Sequence, residues 1–104
     1  MIIQGTNIPI KVTFESSVDS YKNIAATLWI QGKLAKSWMR DKGEMSVEGT
    51  TVTLPVDEDE TRKFAKGTAV IEVKGLNIMD EVVFWEEAEI EVVSRRDKNI
   101  ELID

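Results

Sequence analysis

The chain contains no cysteine and no histidine. The first absence removes disulfides, thiolate nucleophiles and cysteine-ligated zinc, and it leaves the redox compartment open. The second removes the commonest general base and the commonest transition-metal ligand. No stretch approaches the roughly 20 apolar residues that cross a bilayer. The opening MIIQGTNIPI has neither a basic n-region nor a long apolar run, so no signal peptide is expected. Positive charge is also short: 13 Lys and Arg stand against 19 Asp and Glu, a net charge of −6. Such a chain repels phosphate backbones. Its nearest approach to a basic cluster, Arg95, Arg96 and Lys98, is interrupted by Asp97. Neither nucleic acid nor membrane is an expected partner.

What the sequence has is alternation. Its 104 residues suit one domain, spanning 1–104, with a single core. In IPIKVTFE, Ile8, Ile10, Val12 and Phe14 alternate with polar or turn-forming neighbours, as in a half-buried strand. The same period places Ile24, Ala26, Leu28 and Ile30 together, then Val52, Leu54 and Val56, then Ala69, Ile71 and Val73. In the longest stretch Val82, Phe84, Ala88, Ile90 and Val92 share a phase, with Glu86 as the exception. Six or seven short strands split by glycine-containing turns predict an all-β antiparallel sandwich.

Gln31-Gly32 or Gly32-Lys33 forms a two-residue hairpin loop, because glycine supplies positive φ cheaply. Both registers set Ala35, Ser37 and Met39 on the face of Ile24, Ala26, Leu28 and Ile30. Thr27, Trp29, Leu34, Lys36 and Trp38 fall on the other face. Trp85 is likewise out of phase with Phe84, Ala88 and Ile90. These rings cover a second small core, or one strand has its faces inverted, or they form an apolar patch for another protein or a second copy of this chain. A platform for stacking sugar rings is a further reading. Ile100, Leu102 and Ile103 follow the charged break and are expected to pack, as a strand of this sheet or on a neighbour's edge. The candidate interface residues are therefore Trp29, Leu34, Trp38, Trp85, Ile100 and Leu102.

The four acids at 57–60 are not a calcium loop. Counting from Asp57, the sixth residue is Arg62 and the twelfth Thr68, where an EF-hand needs glycine and glutamate. Asp57 instead suits a helix N-cap, with Glu60 completing a capping box and Lys63 and Lys66 near the end of a short helix over about 57–65. Glu87, Glu89 and Glu91 line one strand face, about 7 Å between neighbours, and read as a solvated face guarding a sheet edge. Ser16, Ser17 and Ser20 have no histidine to activate them. No enzymatic activity, catalytic residue, metal or cofactor is expected.

The order of signals resembles that of small structural proteins encoded in phages and prophages of Gram-positive, often gut-dwelling, bacteria. Gly5-Thr6-Asn7-Ile8-Pro9 opens the pattern, and Gln31-Gly32-Lys33 gives its hairpin turn. Glu48-Gly49-Thr50-Thr51-Val52-Thr53-Leu54 is similar to its central strand. Asp59, Glu60, Thr61 and Phe64 match its acidic pair with threonine and phenylalanine at helical spacing, and 67–74 its glycine-led strand. Arg62 and Lys63 depart from the pattern, as does the tryptophan-rich first hairpin. The resemblance implies an immunoglobulin-like sandwich similar to the N-terminal domains of phage baseplate proteins. It also implies a non-enzymatic tail or baseplate role, in the virion or in the host cytoplasm during assembly, through contacts with other phage structural proteins. The chain is expected to be a homo-oligomer. A carbohydrate-binding module using the tryptophans is the alternative.

Overall fold

Each alternating stretch forms a strand in the computed structural model, which describes residues 1–94. The elements run β1 (Ile2–Ile3), β2 (Ile10–Thr13), β3 (Asn23–Ile30), β4 (Lys33–Met39), β5 (Ser46–Glu48), β6 (Thr51–Leu54), α1 (Glu58–Lys63), β7 (Gly67–Leu76) and β8 (Val82–Val93). One sheet has the order β1-β8-β7-β3-β4 and the other β2-β6-β5. This is the immunoglobulin arrangement, with β3, β7 and β8 central and β4 added beside them. The strand count exceeds expectation because β1 and β5 are too short to show a period. β1 also runs parallel to β8, through Ile2 opposite Val92 and Ile3 opposite Val93.

The two sheets meet over the predicted aliphatic stripes. Ile24, Ala26 and Leu28 of β3 and Ala69, Ile71 and Val73 of β7 face Val52 and Leu54 of β6, all buried. Burying each of the larger side chains contributes about 1.5–3 kcal/mol. Ile8 stands outside this core, ahead of β2 and exposed.

The first hairpin departs from the expected faces. Its loop is Gln31-Gly32, both at positive φ (54° and 76°), with Ile30 paired to Lys33. Trp29 then sits opposite Leu34, but Leu28 sits opposite Lys36, so Ala35 is an extra residue in β4. Such a bulge inverts the facing of every side chain beyond it. Trp38 comes opposite Ala26 and turns inward, 2% exposed. Its indole N–H donates to the Pro55 carbonyl at 2.8 Å. Trp38 is therefore a core residue and not part of an outer patch. Lys36 is turned to the same side, where its ammonium pairs with Glu60 and lies 5.6 Å from the Trp38 ring centroid.

A second irregularity lies between β7 and β8. Gly75 pairs with Phe84 but Leu76 pairs with Val82, leaving Val83 as the additional residue. Val82 consequently points with Leu76 to the outer face, not with Phe84 to the inner one.

The acidic run forms the expected cap. Asp57 accepts from the Glu60 amide at 2.7 Å and Glu60 from the Asp57 amide at 3.0 Å. The helix is anchored through Thr61, which is fully buried. Its hydroxyl donates to the Thr6 carbonyl at 2.7 Å and accepts from the Thr6 amide at 3.0 Å. Gln4 adds a bond from its side-chain amide to the Phe64 carbonyl.

Candidate interaction surface

The outer face of the five-stranded sheet carries three of the predicted residues. Leu34 is 60% exposed, Trp85 57% and Trp29 36%. Trp29 and Leu34 are cross-strand neighbours. Trp85 lies opposite Lys74, and Trp29 opposite Val70 four residues along β7. Strand spacing and rise set the two rings roughly 16 Å apart on one face. Thr27, Val70, Glu72 and Lys74 lie between them. The outer patch expected from Trp29, Leu34 and Trp38 is thus left with two of its three side chains. Ile100 and Leu102 lie outside the described residues.

A second cluster was not expected. Among the described residues, Ile78, Met79, Val82, Val83 and Trp85 account for five of the nine large apolar side chains that are exposed. All five fall within eight consecutive residues, at the tip and along the ascending strand of the β7–β8 hairpin. Asn77 organises the tip, its side-chain oxygen accepting from the Met79 and Glu81 amides and its nitrogen donating to Glu81. Asp80 closes the turn at φ 60°. Ile78 and Met79 are thereby held out into solvent, 78% and 76% exposed. The sequence signal was present in Asn77-Ile78-Met79-Asp80, where two large apolar residues occupy a tight turn that ordinarily takes polar ones.

The edges of this sheet differ. On β4 the ion pair of Lys36 with Glu60 and the Trp38–Pro55 bond tie the strand to α1 and the segment before it. On β8, β1 covers only Val92 and Val93. Among the described residues, nothing pairs with the outer edge of residues 82–91. Glu86, Glu87, Glu89 and Glu91 are exposed along it, with Glu87, Glu89 and Glu91 on the outer face as expected.

A cleft of about 520 Å³ lies between the β3–β4 loop and α1. Ile30, Leu34 and Phe64 line it, with Lys33, Lys63 and Glu60 among its charged residues. No serine is among its lining residues, and Asp57 and Glu60 are engaged in the helix cap. Among the described residues no group of three or more acids is placed to hold a metal ion. No described helix is long and apolar enough to cross a membrane.

No family model matches the chain, and no curated protein matches it. Solved structures share its fold. CopC from Methylosinus trichosporium OB3b superposes with a TM-score of 0.55 at 17% identity, over 90% of this chain and 84% of CopC. Chitinase ChiW from Paenibacillus sp. str. FPU-7, a multi-modular, cell-surface-expressed enzyme, gives a TM-score of 0.53 at 15% identity. That match spans 83% of this chain and 8% of the chitinase. At such identities the likeness is one of architecture, and it agrees with the topology: the chain is a β-sandwich.

Proposed function

We propose that the chain is a non-enzymatic adaptor module that docks onto neighbouring protein subunits, in the tail or baseplate of a phage or prophage particle. The observation that carries the docking role is the exposed apolar run Ile78, Met79, Val82, Val83 and Trp85. Single exposed apolar residues are ordinary, whereas a contiguous group usually marks an interface. The Asn77 bonds fix the tip before any partner arrives, so little ordering remains to oppose association. The resemblance in motif order, from Gly5-Thr6 to the strand at 67–74, supports the phage setting. The test is to induce the host, purify particles on a density gradient and quantify the chain by mass spectrometry. A fixed stoichiometry in particles or tail intermediates is expected. Its absence from both overturns the phage role.

Carbohydrate binding is the second reading, favoured by Trp29 and Trp85 sharing one face with Thr27, Glu72 and Lys74 between them. The chitinase that shares the fold makes chitin the first polymer to try. Retention on insoluble chitin that falls with Trp29→Ala and Trp85→Ala supports it. Retention that is absent, or indifferent to both substitutions, removes it.

A further inference from the structure

We propose that the open edge of β8 accepts an extended cationic segment of another protein as a further strand. This rests on the adaptor reading and specifies its surface and its partner's chemistry.

The backbone supplies the first argument. Among the described residues, nothing pairs with the outer edge of the ten residues at 82–91, a length of at most about 34 Å at about 3.4 Å per residue. Alternate residues of a strand paired on one side turn their N–H and C=O groups outward. An incoming strand satisfies these groups in register, which is how strand addition gains affinity.

The side chains specify the guest. Glu87, Glu89 and Glu91 stand two residues apart on the outer face, the spacing of every second residue of an added strand. Lysine or arginine at alternate guest positions meets them one for one. The sheet itself does not neutralise them. Glu87 faces another acid, Glu72, directly across on β7, and the nearby Lys74 pairs with Glu72 at 3.4 Å. Like charges directly opposite on a sheet are unfavourable, and a cationic guest relieves that repulsion. Towards the tip the acids give way to Trp85, Val83 and Val82, so the matching end of the guest is aliphatic. The same glutamates work against a second copy of this chain, because β8 laid on β8 brings acid towards acid.

The test uses two ten-residue peptides with lysine at alternate positions and three aliphatic residues at one end, in both chain orders. Titration calorimetry and amide hydrogen exchange are read on the full chain. One-to-one binding is expected for at least one peptide, with exchange slowed at residues 86–91. Affinity should fall by about tenfold or more in Glu87→Lys/Glu89→Lys, whose substituted side chains are exposed, and fold retention is checked by circular dichroism. N-methylation at alternate peptide amides should abolish binding. Equal binding by the N-methylated peptide or by spermine indicates charge adhesion only and overturns the proposal. So does failure of both peptides, or dimerisation through β8. If the chain is found in particles yet ignores both peptides, strand addition falls and the adaptor role stands. If a peptide binds but particles lack the chain, the reverse holds.

Discussion

Thr6 and Thr61, 55 residues apart, exchange two hydrogen bonds through one hydroxyl, which accepts from the Thr6 amide and donates to its carbonyl. A side chain here takes the part of a neighbouring strand for a single residue. The bonds fasten the segment after β1 to α1, and so tie the start of the chain to the crossing between the two sheets.

Thr61→Val keeps the shape and removes both bonds in a fully buried site. Leaving the Thr6 groups unsatisfied is expected to cost about 1–3 kcal/mol, and Thr61→Ser, which retains the hydroxyl, should cost less. Urea unfolding of the two variants checks this. A valine variant as stable as wild type would show that the clip contributes nothing.

Asp57→Ala removes the acceptor for the Glu60 amide and should lower stability by about 0.5–2 kcal/mol. Asp57→Asn, which can still cap, should stay close to wild type. Thermal melts of both, run side by side, separate loss of the cap from loss of a charge.

Gly75 lies beneath the Tyr21 ring, which stacks on Phe84 with centroids 5.4 Å apart. A Cβ at Gly75 would sit 2.8 Å from Tyr21 Cδ2 and 3.1 Å from Phe84 Cβ. Gly75→Ala is therefore expected to destabilise by about 1–3 kcal/mol, the usual range for overpacking. In a Tyr21→Ala background the added methyl should cost much less. A double-mutant cycle measures the difference, and strict additivity would refute the contact.

The three tryptophans should separate by environment. Trp38→Ala opens a hole in the core and is expected to cost about 3–5 kcal/mol. Trp29→Ala and Trp85→Ala, at partly exposed positions, should each cost clearly less than Trp38→Ala. Acrylamide quenching of single-tryptophan variants gives an independent reading. Ready quenching of Trp38 would return it to the outer face.

The sandwich was legible wherever one face of a strand is buried, because burial imposes period two on the residues themselves. Ile24, Ala26 and Leu28, like Ala69, Ile71 and Val73, could be placed without coordinates. The helix cap was legible because Asp57 and Glu60 satisfy each other locally. The interaction surface was less so. No residue type marks Ala35 or Val83 as the extra one in its strand, since a bulge is decided by how two strands pair. Trp38 was misplaced for that reason, and Val82 as well. Thr6, Thr61 and Phe64, on which the proposed phage setting partly rests, lie in the hydrogen-bonded clip around α1, so they speak to the framework more than to any contact surface.

The bulge at Ala35 has a consequence for how β4 tolerates change. Substitutions along the strand alter one side chain each, but loss or gain of one residue beyond the bulge acts as a frameshift acts on codons, reassigning every later side chain to the opposite face. Removing Ala35 itself would erase the bulge and leave Trp38 opposite Ala26, whereas removing Ser37 would carry Trp38 to the place opposite Thr27 and out to solvent, although every remaining residue type is unchanged. Two sequences that differ by this one gap would align almost perfectly on paper and yet bury different halves of the strand.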